Sequence, residues 1–300
     1  MGGKSKPAGQ LTESWRLARI LMRPQYRGPV LAIAVVAAAV VGLLAAWNRW
    51  GEPTTRSADY LLTPERLFTT PQPKWIHADV KAEVVQAASL TERNLRDPQL
   101  AEELAGAFAL HPWVAKVVRV EKRMPARVDV TLDYRRPVAA VEIASRGEAG
   151  LLFVDAQAVL LPSGDFAQGQ AKDFLRIAAN GTSPAGGYGA AWGSERVAGA
   201  ARIAAALGDR WQALELYRIV AVESSAGELT FELRTKAEAR AVWGQAPGNE
   251  STGEPSPAQK ITALEHFVAD KGSLDRDGAT PLDLRTLAAP IAINAAGKPK

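Results

Sequence analysis

The sequence predicts an α+β chain built from a single-pass membrane anchor, a small β-α-β-β domain and a mostly antiparallel β domain with two helices. Three observations carry that prediction. An uninterrupted apolar run lies near the N-terminus, a helical period followed by two alternating segments occupies 97–134, and beyond it strand-like segments outnumber helical ones. The chain has 300 residues, 47% hydrophobic and 23% charged, which suits one or two packed domains and excludes wholesale disorder. The absence of cysteine excludes disulfide frameworks, thiolate metal sites, iron–sulfur clusters and cysteine nucleophiles.

The anchor is read from Val30 to Trp47, VLAIAVVAAAVVGLLAAW, eighteen residues without a charge. As a helix it rises about 27 Å against a hydrocarbon core of roughly 30 Å. Arg27 and Arg49 bracket it, and Tyr26, Trp47 and Trp50 stand at interfacial positions. Lys4, Lys6, Arg16, Arg19, Arg23 and Arg27 precede it against Glu13 alone, a net +5, while the whole chain is +4. The folded body is thus close to neutral, which argues against a nucleic-acid partner despite a pI near 9.3. The same cations predict a cytoplasmic N-terminus and an extracytoplasmic body at a cell (inner) membrane. A cleaved signal peptide is the competing reading; the long tail and long apolar run favour an uncleaved anchor. The stretch LTESWRLARILM either lies on the inner leaflet as an amphipathic helix or serves only as a topology signal. The predicted division is a basic tail 1–28, a transmembrane helix 29–48, a linker 49–73, the first domain 74–137, the β domain 138–290 and a C-terminal tail 291–300.

Each element has a local reason. Pro53, Pro64, Pro71 and Pro73 mark residues 51–73 as a spacer. KWIHADVKAEVV (74–85) alternates loosely and predicts a first strand. Asp97-Pro98 opens a helix with Leu100, Leu104, Ala107, Phe108 and Leu110 on one face, ended by Pro112. Residues 115–123 and 126–134 alternate as strands around a Met124-Pro125 turn, and Trp113 is placed to plug the helix–sheet seam. Strands follow at 137–143, 151–155, 159–162, 174–179, 216–223, 229–235, 239–244 and 282–286. Helices follow Ser194 and Pro257, the first ended by Gly208.

No residue set points to catalysis, a cofactor or a metal. GGYGAAWGSER (186–196) lacks the Lys-Ser/Thr pair and spacing of a phosphate loop and reads as a flexible connection. His77, His111 and His266 have no partner at metal-ligand or acid–base spacing, and Glu102-Glu103 reads as a solvated face. Serine-nucleophile motifs are missing. A binding architecture is left, in which the terminal strand 282–287 offers an edge for a partner strand because little chain follows to cover it.

The ordered motifs identify a resemblance. HPWVAKVVRVEKRMPARVDVTLDYRRPVAAVE (111–142) resembles the FtsQ/DivIB cell-division proteins, whose POTRA domain carries Pro-Trp-Val (here Pro112, Trp113, Val114), a proline turn (Pro125) and an acidic-to-Pro-Val-Ala exit (Asp133 to Pro137). FVDAQAVLLP (153–162), with Asp155, is similar to the family's Val-Asp-x-x-Gly segment, Ala158 standing for the glycine and implying a different turn. A helix led by Lys260 and the Leu282–Arg285 strand look like the family's C-terminal pair, with Thr286 where an aromatic is common. The resemblance implies a POTRA-like domain and a non-enzymatic division scaffold that recruits divisome proteins at the septum. A coiled-coil partner of the FtsB/FtsL type would add its strand along Arg285, Thr286, Leu287 and Ala288. The rival readings are another POTRA-type protein of envelope protein export, and an anchored envelope sensor or enzyme with a pocket of convergent polar residues.

Overall fold

The computed structural model describes residues 27–55, 60–91, 93–123, 127–145, 148–167, 169–178, 181–224, 227–277 and 281–286. The predicted basic tail, apart from Arg27 and Gly28, lies outside them, as do Pro125, Leu287 and Ala288. A helix, α1 (Arg27–Thr55), comes first. Among the described residues no helix is long and apolar enough to cross a membrane, which overturns the single-pass anchor. The apolar part of α1 ends at Trp47, before Asn48 and Arg49, and rises about 26–27 Å, short of a hydrocarbon core of about 30 Å. The fold class becomes α+β with two sheets.

The first unit comprises β1 (Leu67–Thr69), α2 (Val80–Ala87), α3 (Leu100–Ala109), β2 (Val114–Arg123) and β3 (Arg127–Tyr134). Its sheet runs β1-β3-β2, with β1 parallel and β2 antiparallel to β3. Two expectations are corrected here. The strand placed at 74–85 is largely helix, because the Asp79 carboxylate accepts from Ala82 N at 3.0 Å and caps α2. Val80, Val84 and Val85 then share one buried face, a helical spacing that the loose alternation disguised. The first strand lies instead in the supposed linker, where buried Leu62 and Leu67 belong to the core. Trp113 fills the predicted seam: it is fully buried in a cluster with Leu100, Leu104, Phe108, Val128 and Val130.

The second unit comprises β4 (Ala139–Ser145), β5 (Glu148–Val154), β6 (Leu175–Ala178), α4 (Glu195–Leu207), the single turn α5 (Arg210–Ala213), β7 (Leu216–Glu223), β8 (Leu229–Thr235), β9 (Arg240–Gly244), α6 (Pro257–Lys271) and β10 (Leu282–Asp283). Its seven strands run β10-β9-β8-β7-β6-β4-β5. The sheet is mixed and not mostly antiparallel. Short hairpins join β4–β5, β7–β8 and β8–β9, but chain crossovers make β4–β6, β6–β7 and β9–β10 parallel. Residues 159–162 form only isolated bridges, Val154 to Leu160 and Val159 to Ala191. The second bridge, with buried Trp192, pins the glycine-rich connection that sequence alone reads as flexible.

Alternation divides the second sheet cleanly. Ile177, Ile219, Leu233 and Ala241 face α4 and α6 in one core. On the opposite face Ala140 and Phe153 join the core of the first unit, where Phe153 stacks on Phe166 at 3.7 Å and Phe174 meets it edge-on at 5.2 Å. The first unit therefore covers the β4–β5 end of that face.

Candidate functional site at the C-terminal sheet edge

Four strands end the two sheets, β1, β2, β5 and β10; at β5 the Val154–Leu160 bridge and the bond from Leu161 N to Phe153 O occupy part of the edge. β2 is the last strand of the small sheet, but exposed Lys116, Arg119, Lys122 and Arg123 run along it, and such charges oppose strand addition. β10 ends the seven-stranded sheet, and among the described residues no strand lies beyond it.

β10 is short, so its position depends on anchors. Leu282 pairs with Ala241 and Asp283 with Val242, and Leu284 N donates to Val242 O at 2.9 Å. The Leu284 side chain is fully buried. With Leu284 turned toward β9, the two-residue period aims the Asp283 N–H and C=O at the open side. Arg285 folds back: its N donates to Asp283 Oδ1 at 3.0 Å and its Nη2 to Oδ2 at 2.7 Å. That clasp ends the strand. The Arg285 guanidinium holds the Asp283 carboxyl below the usual carboxylate range. Arg285 and Thr286, the predicted contact residues, are exposed just past the strand, at a bend.

A buried ion pair stands behind this edge. Lys260, on the first turns of α6, is fully buried and donates from Nζ to Glu254 Oε1 at 2.6 Å. Glu254 also accepts from Gln245 N and Ser251 N, each at 2.9 Å. Burial pushes the Glu254 carboxyl up, but the Lys260 ammonium and these N–H groups outweigh it and leave the carboxyl below its ordinary value. The ammonium lies 5.0 Å from the Trp243 ring. α6 is held in place by a capping box between Ser256 and Gln259, with Pro257 in its first turn. Gly244 joins the two parts. Its φ is +93°, and a Cβ there would run into the Glu254 carboxylate and sit 2.8 Å from Arg285 Cγ. Replacing Gly244 by Ala is expected to destabilise the fold by about 2–3 kcal/mol through left-handed strain and displacement of Glu254. Urea unfolding checks this, and a loss under about 0.5 kcal/mol contradicts the arrangement.

The other motif residues serve the junction between the units. Asp155 is buried, accepts from Gln157 N and Val159 N at 2.9 and 2.8 Å, and pairs with Arg135 Nη1 at 2.7 Å. Ala158 takes φ +56°, the left-handed conformation that glycine favours. Pro112 leads into Trp113, whose indole N–H donates to the Asp165 carboxylate, and Val114 opens β2. Pro137 lines a cleft of about 490 Å³ with Trp75, Tyr134, Arg136 and Trp211. Of the charged groups at that cleft, Arg135 pairs with Asp155, and Arg136 approaches Asp209 to 3.6 Å. His111 acquires a partner that sequence spacing concealed, Glu83 at 3.1 Å, while its Nδ1 accepts from Trp113 N at 3.2 Å. His77 lies in a loop, not a strand, and its Nδ1 contacts Asp165 O at 2.8 Å. Among the described residues no group of His, Cys, Asp or Glu is arranged to hold a metal.

No protein-family model matches the chain, and no curated protein matches it.

Proposed function

We propose that this chain is a non-enzymatic scaffold of cell division, of the FtsQ/DivIB type, that recruits later division proteins at the septum. The observation that carries the reading is the β10 edge: a terminal strand with an unpaired outer side among the described residues, backed by the buried Lys260–Glu254 pair. The ordered Pro112-Trp113-Val114, Val154-Asp155 and Asp283-Leu284-Arg285 motifs support it. A strand from a coiled-coil partner of the FtsB/FtsL type would pair first with the Asp283 backbone. Pairing along Arg285, Thr286, Leu287 and Ala288 requires the Asp283–Arg285 clasp to open, which makes docking stepwise.

A fluorescent fusion at the N-terminus tests this in dividing cells. The full chain is expected to form a mid-cell band. A chain truncated before Leu282 is expected to reach mid-cell yet fail to gather later division proteins. Uniform fluorescence of the full chain overturns the division role, and normal recruitment by the truncated chain overturns the assignment of the edge.

A further inference from the structure

The face of the large sheet opposite α4 and α6 has a second feature, independent of the β10 edge. Register places four arginines side by side on adjacent strands: Arg176 on β6 opposite Arg218 on β7, Arg218 opposite Arg234 on β8, and Arg234 opposite Arg240 on β9. The first unit covers this face at β4–β5, and the arginine row lies beside it, part-buried at Arg176, Arg218 and Arg234 and half exposed at Arg240. The irregularity in register between Leu216 and Arg218 turns Tyr217 toward the same cations: Arg176, Arg218 and Lys236 lie 4.8, 5.5 and 5.8 Å from its ring centre.

Like charges directly opposite in a sheet destabilise it, so the row needs compensation. Glu142 lies 3.3 Å from Arg176 and 3.7 Å from Arg218, and Glu238 lies 4.0 Å from Arg218 and 3.2 Å from Arg234. Glu232 lies 2.8 Å from Arg234 and 3.9 Å from Arg240. Three carboxylates thus serve the four arginines, leaving an excess of one positive charge within the row. Among the described residues Arg218 makes two long ion-pair contacts besides its approach to Tyr217, and its buried Nε makes no hydrogen bond.

We infer that this arginine row is a docking surface for an acidic α-helix of a partner protein, laid across the strands. Spacing selects the helix. Adjacent strands are about 4.8 Å apart, so four arginines span roughly 14–15 Å. Carboxylates at i, i+3, i+7 and i+10 of a helix span about 15 Å, whereas same-face residues of an extended strand recur only every 6.8 Å or so. Charge excludes the chain's own termini: residues 1–26 carry five Lys/Arg against Glu13, and residues 287–300 carry Lys298 and Lys300 with no acid. Arginine suits the task because its planar fork takes a carboxylate edge-on while the remaining N–H groups keep their intramolecular glutamates.

The test is fluorescence anisotropy of the full chain with a labelled 14-residue alanine-based helix bearing Glu at positions 2, 5, 9 and 12, at low and physiological salt. A Gln-for-Glu peptide, heparin and anionic vesicles are the comparison probes. The Glu peptide is expected to bind, more tightly at low salt, and the Gln peptide to fail. Arg176→Gln with Arg240→Gln is expected to weaken binding by about tenfold or more, because two charge-assisted hydrogen bonds to the peptide no longer form, while Arg119→Gln on the small sheet leaves it unchanged. Should the double variant melt early, Arg240→Gln alone decides, since that side chain is half exposed. No binding of the Glu peptide, equal binding of the Gln peptide, or an affinity indifferent to Arg240→Gln overturns the proposal. Row-dependent binding of heparin or vesicles in preference to the Glu peptide overturns it in favour of a polyanion or a membrane surface.

Discussion

Replacing Lys260 by Met is expected to destabilise the fold by about 3–5 kcal/mol at neutral pH, the cost of removing one member of a buried ion pair and leaving the other uncompensated. Lys260 is fully buried and the Glu254 side chain only 5% exposed, so water does not easily take the place of the ammonium. The loss should depend on pH with a definite sign. In the parent chain the Glu254 carboxyl is held below its ordinary value, so its contribution is complete above the unfolded carboxylate pKa of about 4.3 and fades as pH falls through the folded value. Without Lys260, burial still raises that carboxyl and only the two N–H bonds lower it, so its pKa rises from the value it has in the parent chain. The difference between the two proteins therefore narrows as pH falls through the carboxylate range. Urea unfolding across pH 4–8 measures this. A difference that is constant with pH, or below about 1 kcal/mol at pH 7, contradicts the pair's role. The variant should also lose partner recruitment, because Gly244 and Arg285 are set against Glu254.

Trp113→Ala carries the other large effect. The indole is fully buried among Leu100, Leu104 and Phe108, and its N–H reaches Asp165 beyond the end of the small sheet. Truncating a buried tryptophan is expected to cost about 3–5 kcal/mol, and here it also strips Asp165 of its donor. Because the Trp113 ring lies 6.0 Å from Phe166 and Phe166 stacks on Phe153 of β5, the loss should loosen the junction of the two units as well as the first core. Denaturant unfolding by circular dichroism is expected to show a lower midpoint and a broadened or split transition. An unchanged midpoint would show that the indole is not the common element of the two cores.

Where local pattern and final burial agree, the sequence can be read directly. Leu100, Leu104 and Phe108 announce α3, alternation announces β3 and β8, and Pro257 announces the start of α6. Where two patterns overlap, reading fails: residues 74–85 alternate loosely, and only the Asp79 cap and the burial of Val80, Val84 and Val85 decide for a helix. The apolar run at 30–47 is plain in the sequence, but its sufficiency as a span is a matter of length, and among the described residues it falls short.

By itself the sequence determined the elements whose reasons are local: alternation, proline stops and the position of Trp113; of the terminal strand expected at 282–286 only Leu282–Asp283 pairs. The tertiary structure alone decided the mixed strand order, the Lys260–Glu254 pair, the His111–Glu83 contact and the row of four arginines. The physical reason is that register and crossover join residues far apart in the chain. Arg176 and Arg240 stand on one face only because three strand pairings, each with its own register, are satisfied together.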